Sequence, residues 1–154
     1  MSITAPDTSA NMSIARNAKD LVTSIAQGGL TRSYGYNSNY YLTSVVNPET
    51  GTTTYGRDAA GNMTSRTVGA SGTSTYTYDG QNRLTAVTYP GTTPSVTQTY
   101  SKTHKLKSVV STAASRSYVY DANDNLISES VVIDGLTLTT GYGYNAIDQL
   151  ASVT

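Results

Sequence analysis

One histidine is the side chain in this sequence best suited to acid–base or metal chemistry. His104 is the only histidine among the 154 residues and cysteine is absent, so a catalytic triad or a histidine-based metal site would have to be built around it. No serine in a nucleophile-elbow setting accompanies it. We therefore interpret His104 as a turn residue without a catalytic role.

A run of oxygen-bearing side chains is spaced somewhat like the start of a calcium-binding loop. Asp121, Asn123 and Asp124 would supply the first oxygens, but such a loop needs a bidentate acid at its twelfth position, where Val132 stands. The other acids, Asp79 among them, recur along the chain and do not converge as a catalytic carboxylate pair must. The sequence predicts no metal site, no cofactor and no enzymatic activity.

Three tyrosines outside the regular pattern described below are candidates for binding sugars. Sugars stack on aromatic faces while neighbouring polar side chains bind their hydroxyl groups, and a repeated surface can supply multivalency. The candidates are Tyr40, Tyr41 and Tyr89. The alternative is that these rings cover the second face of a sheet.

The composition predicts an all-β protein. The chain contains 13 tyrosines but no phenylalanine or tryptophan, and only 13% of its residues are charged. Threonine and tyrosine favour strands, whereas glycine, asparagine and aspartate favour turns. A net charge of zero opposes both disorder and nucleic-acid binding. No apolar run reaches bilayer length and the segment after Met1 lacks a signal-peptide core, so we expect neither membrane insertion nor a signal peptide.

A tandem repeat organises the sequence. The motif Tyr-x-Tyr-Asp/Asn recurs about every 21 residues in about seven copies, and the copies at Arg16 and Tyr100 are degraded. An apolar residue stands six positions after the second aromatic position of each copy, from Val22 in the first copy to Leu150 in the last. The predicted repeat anchors are Tyr34, Tyr36, Tyr55, Tyr76, Tyr78, Tyr100, Tyr118, Tyr120, Tyr142 and Tyr144, with Leu42, Met63, Leu84, Leu106, Leu126 and Leu150.

Each repeat predicts one β-hairpin. Tyr-x-Tyr forms a strand, the Asp or Asn closes an Asx-turn, and the residue three further on adopts left-handed dihedrals. In this register Tyr78 faces Leu84 and Tyr76 faces Ala86, so that the first tyrosine of a unit faces a small residue; alternatively, serine is merely common here. The predicted turn residues are Asn37, Asp58, Gly61, Asp79, Asn82, Asp121, Asp124, Asn145 and Asp148, with His104 at the left-handed position of a degraded copy.

The motif resembles the YD or Rhs repeat of bacterial Rhs and wall-associated proteins, insecticidal toxin complexes and teneurins. The resemblance covers the chain from about Ile14 to Thr154. It implies a long antiparallel sheet of tandem hairpins that spirals into a β-solenoid or open shell strip, which in bacterial members encloses a toxin segment. The Asp-Pro-x-Gly signature of the self-cleaving core of many bacterial members has no counterpart, because no Asp-Pro occurs here. Self-cleavage and a toxin domain are therefore not expected.

These patterns lead to one functional hypothesis and one alternative. Residues 1–13 are expected to form a tail or the start of an expressed fragment, and residues 14–154 a single repeat array. We expect a structural scaffold from a larger secreted or surface protein, bacterial in style, whose partners are further repeats and an effector segment of the same polypeptide. The alternative is a carbohydrate-binding or adhesion module. Exposed sheet edges could also allow self-association.

Overall fold

The fold is a succession of antiparallel strands in chain order, in a computed structural model that describes residues 2–3 and 11–154. Strands that are neighbours in the chain are hydrogen-bonded to each other, which confirms the predicted all-β class. The 15 strands are β1 (Ser2–Ile3), β2 (Met12–Arg16), β3 (Val22–Gln27), β4 (Leu30–Tyr36), β5 (Leu42–Asn47), β6 (Gly51–Arg57), β7 (Met63–Val68), β8 (Thr73–Tyr78), β9 (Leu84–Thr88), β10 (Val96–Tyr100), β11 (Leu106–Val110), β12 (Ala114–Tyr120), β13 (Leu126–Ile133), β14 (Leu136–Tyr144) and β15 (Leu150–Val153).

The strands belong to two compact units, Met1–Thr75 and Tyr76–Thr154. In both units the pairing is antiparallel, as in β4 with β5 and in β12 with β13. A single 3₁₀ turn over Gly69–Ser71 is the one helical element within the described residues. No helix in this part of the chain is long and apolar enough to cross a membrane.

The start of the chain differs in part from the predicted tail. Met12 and Ser13 belong to β2, and they pair with Ile3 and Ser2 of β1. Residues 1 and 4–10, which the prediction also assigned to a tail, lie outside the described residues.

Alternation along the strands produces one face that is more covered than the other. In β8, Tyr76 and Tyr78 are half-buried, whereas the threonines that alternate with them, Thr75 and Thr77, are exposed. The β-branched and aromatic side chains suit such a half-buried pleated surface. Among the described residues only Val87 and Thr53 are less than a tenth exposed, so the sheet carries a thin apolar layer rather than a deep core.

Every repeat turns through a three-residue loop that ends in a left-handed residue. In the fourth repeat the backbone N–H of Asp79 donates to the carbonyl of Arg83 at 3.0 Å, and the N–H of Asn82 donates to the carbonyl of Asp79 at 3.0 Å. The left-handed residues are Asp20 (φ 63°), Tyr40 (64°), Gly61 (90°), Asn82 (61°), His104 (68°), Asp124 (64°) and Asp148 (59°).

A β-bulge corrects the predicted register. Tyr36 does face Leu42, but Thr43 is then left without a partner and Gly35, not Tyr34, faces Ser44. Tyr34 faces Val45 instead. The same one-residue shift occurs in the repeats of Arg16, Arg57, Tyr100, Tyr120 and Tyr144. The prediction that the first tyrosine faces a small residue was wrong because the extra residue of a bulge moves all later pairs by one position.

Candidate functional surfaces: the tyrosine ladder and the turn edge

The second tyrosine of a repeat links its hairpin to the preceding hairpin. The Tyr120 hydroxyl donates to the backbone carbonyl of Leu106 at 3.0 Å. The acceptor is the residue at which the bulge of the preceding repeat begins. Burial raises the pKa of Tyr120 above its usual value near 10, which further favours the protonated hydroxyl that donates this bond. Equivalent bonds run from Tyr36 to Val22 (2.9 Å), from Tyr100 to Leu84 (2.9 Å) and from Tyr144 to Leu126 (3.0 Å).

Where arginine replaces the second tyrosine, the side chain binds within its own hairpin. Arg57 donates to the carbonyl of Gly61 at 2.9 Å, and Arg16 donates to the carbonyl of Asp20 at 2.6 Å.

The role of the hydroxyl group of the second tyrosine was missed in the sequence, although the sequence contains a signal for it. A column that needed only an aromatic ring would accept phenylalanine, and the chain has none.

The signature Asp or Asn residues fasten the turns. Asp79 accepts the N–H groups of Gln81 (2.9 Å) and Arg83 (3.1 Å) with one oxygen, and the Arg83 guanidinium with the other (2.7 Å). Asn145 makes the same pair of backbone bonds with its amide oxygen, to Ile147 (3.1 Å) and Gln149 (3.0 Å). Because aspartate and asparagine accept the same two backbone hydrogen bonds, either residue can occupy the position.

The turn carboxyl groups of Asp58 and Asp121 should make the fold less stable in acid. Hydrogen bonds from Asn62 to Asp58, and from Asn125 to Asp121, hold the pKa of each carboxyl below its usual value near 3.8. A lowered folded-state pKa stabilises the fold above the unfolded pKa, and this contribution is lost as the pH falls through the folded pKa. We expect the melting temperature to fall below about pH 4.

Asn37 and Asn145 suggest the matched variants for this prediction, because asparagine forms the turn without titrating. The double variant Asp58→Asn/Asp121→Asn should show a flatter decline in melting temperature between about pH 5 and pH 2 than the parent chain. Circular dichroism melting curves measure this difference. An unchanged acid profile in the double variant would contradict the assignment.

Side chains also connect successive turns in the second unit. Thr103 donates to Asp124 at 2.6 Å, while Asn123 and Asn125 donate to Asp148 at 3.0 and 2.8 Å. The left-handed acids thus bind the neighbouring turn as well as shaping their own. His104 joins this edge, since its Nδ1 lies 3.4 Å from the Arg83 guanidinium. In residues 2–3 and 11–154 no three His, Cys, Asp or Glu side chains converge as a metal site would require.

The three candidate sugar-binding tyrosines occupy different settings. Tyr40 is the left-handed turn residue of its repeat and 51% exposed, with the Lys19 ammonium 5.7 Å from its ring centroid. Tyr41 is 38% exposed and carries the Arg57 guanidinium on its ring at 5.0 Å. Tyr89, which is 37% exposed, belongs to the other unit. Tyr40 therefore has the most accessible of the three rings.

Hairpins joined in chain order by hydroxyl–carbonyl bonds and by turn-to-turn contacts define a structural repeat protein. The sequence model described as RHS Repeat matches residues 42–73 and 66–94. Residues 42–94 are therefore similar to this repeat, which is known also for its YD motif.

Solved structures with a similar fold come from Tc toxin complexes. A chain of the Photorhabdus luminescens Tc holotoxin pore is similar at 14% identity and a TM-score of 0.71, covering 94% of this chain and 9% of that one. A TcdB2-TccC3-Cdc42 crystal structure is similar at 15% identity and a TM-score of 0.71, covering 96% and 9%. A TcdB2-TccC3 crystal structure is similar at 13% identity and a TM-score of 0.70, and the match covers 93% of this chain and 9% of that one. This chain thus spans about one-eleventh of their length. A search of curated proteins gave no significant match.

Proposed function

We propose that this chain is wall material of a larger secreted or surface RHS-repeat protein of bacterial type, which encloses or presents a toxin or effector segment. The observation that carries the proposal is the tyrosine ladder, since its polar groups serve to join hairpins and not to form a reactive centre. Fold similarity to chains of Tc toxin complexes supports it. In this role the chain itself has no enzymatic activity.

Protease protection in the complete polypeptide encoded around these residues tests enclosure. If the repeats form a wall, a non-repeat segment of that polypeptide should be cleaved much more slowly than the same segment expressed alone. Tyr120→Ala, which removes one link of the ladder, should restore cleavage. Equal cleavage rates in the intact polypeptide and in the isolated segment would contradict enclosure.

The edge of the last hairpin supports further repeats or a second copy as partners. Only the last part of β14 pairs with β15, from Gly141 onward, so Leu136 to Thr140 bind β13 on one side alone. Leu136 and Leu138 are 65% and 63% exposed. An unpaired strand with exposed apolar residues recruits other strands.

We expect light scattering of the isolated chain to show concentration-dependent association, and we expect Leu138→Lys to reduce it. A strict monomer at high concentration would contradict open edges.

A carbohydrate-binding module remains the second proposal, supported by the accessible ring of Tyr40. Titration with oligosaccharides tests it, with Tyr40→Ala as the variant and Tyr89→Ala as a comparison. Binding in the millimolar range or tighter that is abolished only by Tyr40→Ala would favour this function over the scaffold. Binding unaffected by either variant, or absent, would exclude these tyrosines as a sugar site.

A further inference from the structure

A groove on the tyrosine face of the second unit has no role in the ladder. It has a volume of about 410 Å³ and crosses β10, β11, β12 and β13. Its apolar lining comes from Val96, Val109, Val131 and Ile133. Volumes of roughly 300–1,000 Å³ are typical of ligand-binding clefts. The groove is therefore large enough to hold a few side chains of a partner.

One charged side chain, Arg116, lies among these apolar residues. It stands opposite Val109 on one neighbouring strand and opposite Val131 on the other. Glu129, on the adjacent strand, is bound by the Tyr142 hydroxyl at 3.2 Å. Within the described residues Arg116 forms no ion pair, so its guanidinium is available to a carboxylate from elsewhere.

An equivalent arginine in the first unit has the carboxylate that Arg116 lacks. Arg32 and Arg116 both stand four residues before the second tyrosine of their repeats. The Arg32 guanidinium binds Glu49 at 3.0 Å. In the repeat of Arg116 the position corresponding to Glu49 is Ile133, which lines the groove. The repeat thus provides an internal example of a pairing that is incomplete at Arg116.

We infer that this groove binds a short, extended, apolar peptide segment through one acidic side chain, which pairs with Arg116. This inference rests on the proposed scaffold function, in which an enclosed segment of the same, larger polypeptide lies against the sheet. Four strands about 4.8 Å apart span roughly 14 Å, the length of about four extended residues. Apolar side chains of the segment contact the valines, while the carboxylate forms a charge-assisted, bidentate pair with the guanidinium.

Peptide titration of the 154-residue chain tests this inference. The probe is a dye-labelled pentapeptide, Val-Thr-Glu-Val-Leu, with blocked termini, and the readout is fluorescence anisotropy. We expect a Kd below about 1 mM and at least a tenfold weaker affinity for Arg116→Gln. The same peptide with Gln in place of Glu should bind the parent chain about as weakly as the acidic peptide binds the variant.

Arg66→Gln is the matched control, because Arg66 is an exposed arginine of β7 that does not line the groove. It should bind the acidic peptide like the parent chain. Arg116→Glu should instead prefer a peptide with Lys at the central position, and melting curves check that each variant is folded. Equal affinity for the Glu and Gln peptides, no binding, or equal losses in both arginine variants would overturn the inference. None of these outcomes affects the protease-protection test of the scaffold.

Discussion

Replacing Gly61 with valine should destabilise the fold by about 2–5 kcal/mol, the sum of a backbone penalty and a steric penalty. Gly61 has a φ of 90°, which a β-branched residue adopts only under strain. A Cβ atom there would lie 2.5 Å from the Tyr41 hydroxyl and 2.8 Å from the ring carbon that bears it. Because the Arg57 guanidinium lies on the Tyr41 ring, a displacement of the ring to make room for the Cβ atom also disturbs that contact. Urea unfolding followed by circular dichroism measures the free energy of unfolding.

Gly29→Val separates the two penalties for Gly61. Gly29 has a φ of 80° in the same unit, but no atom lies within 4 Å of a Cβ built there. It should therefore lose only about 1–2 kcal/mol for the left-handed backbone. The double variant Tyr41→Ala/Gly61→Val should relieve the collision, so that adding Gly61→Val to Tyr41→Ala costs no more than Gly29→Val does. Equal losses for Gly61→Val and Gly29→Val in the parent chain would show that Tyr41 exerts no steric constraint.

Removing the Tyr120 side chain should have a comparable effect, because it breaks one link between hairpins. Full burial of an aromatic ring is worth about 3–5 kcal/mol, and the half-buried ring of Tyr120 should contribute about 2–3 kcal/mol to the free energy of unfolding. Tyr120→Phe keeps the ring but leaves the Leu106 carbonyl without its donor, at a cost of about 1 kcal/mol.

The unfolding curve should also change shape in Tyr120→Ala. Repeat arrays depend on nearest-neighbour contacts, so a broken link lets the flanking hairpins unfold separately and lowers the denaturant m-value. Tyr118→Phe is the matched control, since its ring lies on the same strand face and its hydroxyl makes no hydrogen bond within the described residues. A loss for Tyr118→Phe as large as that for Tyr120→Phe would contradict a specific role of the Tyr120 hydroxyl.

The turns could be predicted from the sequence because their chemistry is local. An Asp or Asn that binds the N–H groups two and four residues later, as Asp79 does, leaves its mark in a run of five residues. The left-handed position was assigned on the same basis, and it includes His104, a residue type that is often catalytic in other proteins.

The bulge and the ladder could not be predicted in the same way, because both depend on neighbouring strands. Thr43 looks like any other strand residue, and only the pairing of Gly35 with Ser44 shows that it is skipped. A glycine opposite a serine in the repeats of Tyr36, Arg57 and Tyr144 reflects close approach at that pair, a pattern the sequence displays only once the register is known. The acceptor of the Tyr120 hydroxyl likewise lies 14 residues earlier, in another hairpin.

The tyrosine ladder has a direction along the chain. In each of the four bonds the donor hydroxyl comes later in the sequence than the carbonyl that it binds. A hairpin leaving the ribosome therefore meets an acceptor that has already been synthesised and folded, and it need not wait for downstream sequence to complete its contact. Assembly of such an array is suited to proceed vectorially, one hairpin at a time, at the pace of translation.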